Sequence, residues 1–189
     1  MQLILFNKPY QVMCQFSPHE TRETLADYLD IPGIYPAGRL DADSEGLVLL
    51  TDNGQLQHDI SHPDHKQQKT YMTQVEGMPD ETMLTRLRKP MDLGDFVTQS
   101  CDVKLIQEPE WLWPRNPPIR ERSSIPTQWL AITLTEGKNR QVRRMTAAAG
   151  LPTLRLIRIA IGPFSLHTHP IWPGEWREVA VSDLSISKF

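Results

Sequence analysis

The chain has 189 residues, 39% of them hydrophobic and 23% charged, which suits one globular domain with a real core. No apolar run approaches the roughly 18 residues of a membrane span, and the first strand begins too early for a visible signal peptide. Two cysteines, Cys14 and Cys101, are too few for a disulfide framework and point to a reducing cytoplasm.

The net charge of −3 does not suggest a polycation, but the charge is unevenly placed. Residues 1–110 hold nine Lys and Arg against eighteen Asp and Glu, whereas residues 111–158 hold nine against two. Eight of the latter nine cations are Arg, the side chain best matched to phosphate and base edges. Such a region can form a footprint for nucleic acid. It can equally neutralise the acidic half of the same chain, and charge alone leaves both readings open.

In chain order, Leu3–Phe6 reads as a strand ended by Asn7-Lys8-Pro9, and Val12–Phe16 as a second short extended run. Thr21–Leu29 has helical spacing, with Thr21 and Thr24 as candidate caps and Pro32-Gly33 as the stop. Tyr35-Pro36-Ala37 leads into Gly38-Arg39-Leu40-Asp41-Ala42-Asp43-Ser44-Glu45-Gly46, which opens onto the apolar run Leu47-Val48-Leu49-Leu50-Thr51. That run reads as a buried strand. Its charged preface therefore sits at a strand mouth, where loops present chemistry on a rigid scaffold.

Gln55–Ile60 predicts a helix stopped by Pro63, Lys69–Val75 an alternating strand, and Pro79-Asp80-Glu81 the start of a helix to Lys89. Asp102–Ile106 reads as a strand. Trp111–Pro126, with four prolines, two Trp and three Arg, is expected to lack regular structure. A structureless segment of that length in a compact domain is commonly functional. Trp129–Thr135 predicts a strand, and Asn139 is the expected cap of a helix to Ala149 that Gly150 ends. Leu154–Ile161 and Trp176–Val181 predict the last strands, with Gly162-Pro163 as a turn and a frayed tail at the end. Helices and strands do not alternate regularly, so an α+β fold on a mostly antiparallel sheet is expected.

Three sites stand out. Asp41, Asp43 and Glu45 fall on alternate positions, so on an extended chain they would share a face and repel unless the backbone turns or a cation such as Arg39 is near. A solvated turn explains such a group as well as a catalytic one does. In Gly137-Lys138-Asn139-Arg140-Gln141-Val142-Arg143-Arg144-Met145, the residues Val142, Met145 and Ala149 make an apolar stripe. Arg140, Arg143 and Arg144 cluster elsewhere. Cations in a first helical turn meet the positive end of the helix dipole, so a carboxylate or a phosphate should offset them. Tyr71, in its alternating strand, fits core or site. His58, His62 and His65 have spacings a zinc site could use, but Pro63 interrupts the helix and neither cysteine is near, so no metal is expected.

Together these stretches resemble the RsuA-type pseudouridine synthases. Gly38–Leu47 looks like the first signature of that family, Lys69-Thr70-Tyr71 the second, and Glu136–Met145 the third; Leu154–Phe164 is similar to the strand that follows it. The segment 111–122 looks like the insertion of a member that acts on large-subunit ribosomal RNA. The resemblance implies the pseudouridine synthase catalytic fold, a mixed, mostly antiparallel sheet flanked by helices with the active-site cleft across it. It implies one catalytic domain over 1–189, with two sub-lobes allowed; many relatives carry a small N-terminal S4-type domain, and with the first strand starting at Leu3 that domain is expected to be absent here.

It further implies isomerisation of a specific uridine of 23S rRNA, breaking N1–C1′ and forming C5–C1′. Asp41 matches the catalytic aspartate and Tyr71 the tyrosine that stacks on the flipped base. Arg143 matches the basic partner of the aspartate, and Leu156 lies in the segment that packs against the site. Arg39, Arg115, Arg120, Arg122, Lys138, Arg140 and Arg144 are the expected RNA contacts. No cofactor or metal is implied. The expected partner is 23S rRNA or an assembling large subunit, met by a cytoplasmic monomer without a membrane. An RNA-binding or ribosome-assembly factor that lacks the chemistry, and a hydrolase pairing Asp41 with Asp43 or Glu45, are the competing readings.

Overall fold

A computed structural model describes residues 1–65 and 67–184. In chain order the strands are β1 (Leu3–Lys8), β2 (Tyr35–Pro36), β3 (Glu45–Thr51), β4 (Lys69–Glu76), β5 (Asp102–Ile106), β6 (Thr127–Leu134), β7 (Thr153–Ile161), β8 (Phe164–Ser165) and β9 (Trp176–Val179). The helices are α1 (Gly54–Ser61), α2 (Glu81–Arg88) and α3 (Gln141–Ala148). The chain forms two compact units, Met1–Gln67 with Arg158–Phe189, and Gln68–Ile157.

In the first unit, β1 and β3 are buried along their whole lengths and pair antiparallel, from Leu3 opposite Thr51 to Lys8 opposite Gly46. Strands covered on both faces lose the alternation of a half-buried sheet, which is why both read as continuous apolar runs. β9 flanks β1 and β2 flanks β3, each antiparallel. Gly162, at φ 53°, turns β7 into β8. α1 starts where Asn53 Oδ1 accepts from the Leu56 amide at 2.8 Å, and it buries Leu56 and Ile60.

Two expectations fail in this unit. Val12–Phe16 is not a strand: it makes a single parallel bridge, Met13 to Thr24, because the Val12 carbonyl is taken by the Lys8 ammonium and the Gln15 amide turns back to Met13 O. Thr21–Leu29 is not a full helix but a 3-10 turn over Leu25–Asp27. Thr24 caps it reciprocally with Asp27, while the Thr21 amide is drawn instead to His19 Nδ1. A cap one residue before Leu25 leaves room for one turn, which buries Leu25 and Leu29. Val181–Asp183 forms a short 3-10 turn where the frayed tail was expected to begin, β9 ending at Val179; the part of that tail over 185–189 lies outside the described residues.

In the second unit the strand order is β5-β6-β4-β7, with Lys69 opposite Leu134 through Glu76 opposite Thr127, and Asp102 opposite Thr133 through Ile106 opposite Trp129. α2 is capped by Asp80, whose Oδ1 accepts from the Met83 amide at 2.8 Å, and buries Leu84 and Leu87. α3 turns Val142, Met145 and Ala149 into one core with Tyr71, Val75, Leu130, Ile132 and Leu156. Asn139 is not its cap: Arg140 holds that place in a left-handed conformation at φ 52°, with no side-chain cap bond. The turn that closes from Lys138 O to the Gln141 amide places the chain there. Residues 111–126 carry no regular element, as expected, but are tied down. Arg155 Nη2 donates to the Trp113 carbonyl at 2.9 Å, and Arg115 Nη1 to the Leu154 carbonyl at 3.3 Å.

The observed architecture is thus the expected α+β arrangement with antiparallel pairing predominant.

Candidate active site

The loop between β2 and β3 carries Asp41 and Asp43, and Glu45 opens β3. The loop backbone does turn, as the mutual repulsion of the three acids requires: the Ser44 amide donates to Asp41 O at 3.1 Å. Asp41 and Asp43 are half-buried, while Ser44 and Glu45 are buried. Two buried cations hold this loop through its carbonyls. The Lys8 ammonium, at the end of β1 and 0% exposed, donates to Pro9 O at 2.8 Å, Val12 O at 2.8 Å and Ala42 O at 3.3 Å. Its three donors match three acceptors. Arg158 of β7, 3% exposed, donates from Nε to Leu47 O at 2.8 Å and from Nη1 to Arg39 O at 3.4 Å. The Gln11 amide adds a bond to Ala42 O at 2.7 Å. Carbonyls at 39, 42 and 47 are therefore pinned around Asp41, which fixes the loop while leaving the carboxylate to other partners.

Burial pulls the Lys8 ammonium down to about 8, against the opposing fields of Cys14, Glu45 and Asp43. At neutral pH it remains charged and keeps its three bonds. Gly46 is required where the loop enters β3: at φ 110°, a Cβ built there would lie 2.2 Å from Arg158 O.

In the second unit Tyr71 is the third residue of β4, largely buried in the core that α3 also faces. Arg143 lies in the first turn of α3, half-buried. The approach to this helix is rigid. Gln141, buried at 4% exposure, donates from Nε2 to Glu136 Oε2 at 2.6 Å, while its Oε1 accepts from the Lys138 amide at 3.2 Å. The same Glu136 oxygen accepts from the Gln99 amide at 3.1 Å.

The cations expected to contact RNA divide by what already engages them. Arg144 donates from Nη1 to Asp95 Oδ2 at 3.2 Å and from Nη2 to Leu93 O at 2.9 Å, with its guanidinium 5.2 Å from the Phe96 ring centroid. This bond holds the Asp95 carboxyl below its ordinary range. The unfavourable dipole placement of Arg144 is thus offset by a carboxylate. The Lys138 ammonium lies 5.9 Å from the same ring. Arg115 is a strut inside the insertion, bonded to Pro117 O and Leu154 O. Arg122 reaches Glu76 at 3.7 Å. Arg39, Arg120 and Arg140 are exposed.

Sequence reasoning missed Lys8, Arg158, Gln141 and the Thr73–Thr146 region. The one available signal was a lysine closing the strand Leu3–Lys8 and two arginines, Arg155 and Arg158, within the largely apolar strand Thr153–Ile161. His58, His62 and His65 do cluster, with ring centroids 4.7 to 6.4 Å apart, but among the described residues no group of His, Cys, Asp and Glu is arranged to hold a metal ion. Burial pushes the Cys101 thiol up to about 11, which makes it a poor nucleophile. No described helix is long and apolar enough to cross a membrane.

A family model described as RNA pseudouridylate synthase matches residues 2–148. The Ribosomal large subunit pseudouridine synthase E of Vibrio vulnificus is 51% identical over 180 residues, covering 95% of this chain and 76% of its own. The protein of the same name from Xanthomonas campestris pv. campestris is 52% identical over 177 residues, covering 93% and 94%. Among solved structures, the crystal structure of a pseudouridylate synthase aligns with a TM-score of 0.78 at 28% identity, over 96% of this chain and 71% of that one. Human RNA pseudouridylate synthase domain containing 1 shares the fold, with a TM-score of 0.58 at 14% identity over 95% and 79% of the two chains.

Proposed function

The chain belongs to the RNA pseudouridylate synthase family, and from that premise we propose that it isomerises a uridine of 23S rRNA with Asp41 as the catalytic carboxylate. The observation that carries the reading is the Asp41 loop, whose carbonyls at Arg39 and Ala42, and that of Leu47 in the adjoining β3, are held by two buried cations. A carboxylate on so rigid a loop is pre-organised for one position on a substrate. The large-subunit target follows from the names of the relatives that match along most of their length.

The reaction is internally balanced. The N1–C1′ bond breaks, the uracil turns, and C5 bonds C1′; C5 gives up its proton and N1 ends with one. No oxidant, reductant or group donor is needed, so no cofactor is called for. In this reading Arg143 is the basic partner of the catalytic aspartate when RNA is bound. Tyr71 stacks on the target base, which must leave its helix to be reached. Arg39, Arg120, Lys138 and Arg140 are exposed side chains suited to phosphates, while Arg115, Arg122 and Arg144 would have to exchange the partners described above. The enzyme works as a cytoplasmic monomer on 23S rRNA or the assembling large subunit.

The test is Asp41→Asn assayed for pseudouridine on 23S rRNA transcript and on immature large subunits. Loss of product with retained RNA binding is expected. Full activity of the variant overturns the assignment, and absence of product from the wild type on both substrates favours a non-catalytic assembly factor.

A further inference from the structure

Three threonine hydroxyls run as a hydrogen-bonded chain through the second unit. Thr73 of β4 and Thr153 of β7 are 3.0 Å apart, Oγ1 to Oγ1. Thr153 Oγ1 is 2.8 Å from Thr146 Oγ1 of α3. The Thr146 hydroxyl donates to the Arg143 carbonyl at 3.1 Å.

Donor counting gives this chain one direction. A carbonyl only accepts, so Thr146 spends its single proton on Arg143 O. Thr153 must then donate to Thr146, and Thr73 to Thr153. Thr73 and Thr146 are both 0% exposed, so bulk water does not compete for these bonds.

The ends of the chain are the informative part. Thr73 follows Tyr71 by two residues on β4, which puts both side chains on one face of the strand. That face packs against α3, since Tyr71, Val142 and Met145 share a core. The other end is the backbone of Arg143 itself. A helical threonine bonding the carbonyl three residues back is an ordinary local habit. Links spanning 7 and 80 residues to β7 and β4 are not local. Valine would fill the same volumes and suit the strands as well or better, so the hydroxyls contribute direction rather than bulk.

We infer that Thr73, Thr153 and Thr146 are positioning residues that set the first turn of α3, and with it Arg143, in register with Tyr71. This rests on the reading above in which Arg143 and Tyr71 serve the isomerisation. Removing the Thr146 hydroxyl releases the Arg143 carbonyl from the chain, and removing the Thr153 hydroxyl detaches Thr146 from β7 and β4, so in either case the helix start relaxes.

The test compares Thr146→Val, Thr153→Val, Thr146→Ser and Arg143→Ala for kcat and KM on a 23S rRNA transcript, each normalised to folded protein by thermal unfolding. Both valine variants should lose kcat by about tenfold with KM unchanged, and Thr146→Ser should recover to within about twofold of wild type. A purely structural role would lower the folded fraction and leave kcat per folded molecule intact. Should Thr146→Val fail to fold, Thr153→Val at its half-buried site decides. Wild-type kcat in the valine variants while Arg143→Ala is inactive overturns the inference alone. Wild-type turnover by Arg143→Ala overturns the role given to Arg143, and this inference with it.

Discussion

Gly46 offers the most direct measurement of how the Asp41 loop is held. Replacing it with Ala imposes two separate costs. The backbone there has φ 110°, which a side chain adopts at about 1–3 kcal/mol. The new Cβ would also meet three backbone atoms of Arg158, O at 2.2 Å, N at 2.9 Å and C at 3.0 Å. Backbone cannot rotate away as a side-chain tip can, so β7 must shift off β3 by about 1 Å to restore ordinary contact. That shift breaks the 2.8 Å bond from Arg158 Nε to Leu47 O, a charged and buried one, adding about 1.5–3 kcal/mol. The total is about 3–6 kcal/mol, comparable with the whole stability of many domains.

Gly38 is the control. It has φ 87° but nothing within 4 Å of a built Cβ, so Gly38→Ala bears only the conformational cost. In urea, with a slope of about 2.5 kcal/mol/M for a chain this size, Gly46→Ala should lower the midpoint by about 1.2–2.4 M and Gly38→Ala by about 0.4–1.2 M. Pseudouridine formation below the midpoint should fall more for Gly46→Ala, because the loop moves with its clamp. Equal midpoints for the two variants would refute the close approach as the reason for glycine.

The remaining predictions concern the buried cations. Lys8 has its ordinary value near 10.5 in the unfolded chain and about 8 in the folded one, so between those pH values the unfolded state binds more protons and stability rises with pH. The rise should reach about 3 kcal/mol across that window, measured as denaturation midpoints from pH 7.5 to 10. Lys8→Met should lack this increment, and an unchanged pH profile in that variant would remove Lys8 as its source. Arg155→Ala should free the 111–126 insertion by breaking its bond to Trp113 O. Limited proteolysis should then cut within 111–126 at least tenfold faster, while α3 and β4 stay protected; an unaltered digestion pattern would count against the strut.

Much of the architecture was legible from local pattern because burial dictates it. β3, β4, β5, α1 and α2 follow from apolar runs, alternation, and the caps Asn53 and Asp80, all interactions of near neighbours. The failure at Thr21–Leu29 comes from local groups, the Thr24–Asp27 cap and His19, whereas Val12–Phe16 fails because other segments claim its backbone. The Lys8 ammonium takes Val12 O, and the Glu23 carbonyl takes the Met13 amide. At the start of α3 the sequence suggested Asn139 as cap, but the Lys138–Gln141 turn, closed by Gln141 on Glu136, puts Arg140 there instead.

The candidate site divides the same way. In the stretches Gly38–Leu47, Lys69–Tyr71 and Glu136–Met145, residue types and spacing marked candidates but left structural readings open, and it was the resemblance to a family that singled out Asp41, Tyr71 and Arg143. The apolar strand after Gly46 likewise announced a rigid mouth for the acidic loop. What holds that loop was not visible. Lys8 and Arg158 act on carbonyls, which every residue has, so no residue type marks their partners at 39, 42 and 47. The same holds for the Thr73–Thr153–Thr146 chain, whose members look like unremarked strand and helix residues until 80 positions of sequence close to 3.0 Å. Side-chain identity determined which groups could react; backbone contacts between distant segments decided which of them are held still.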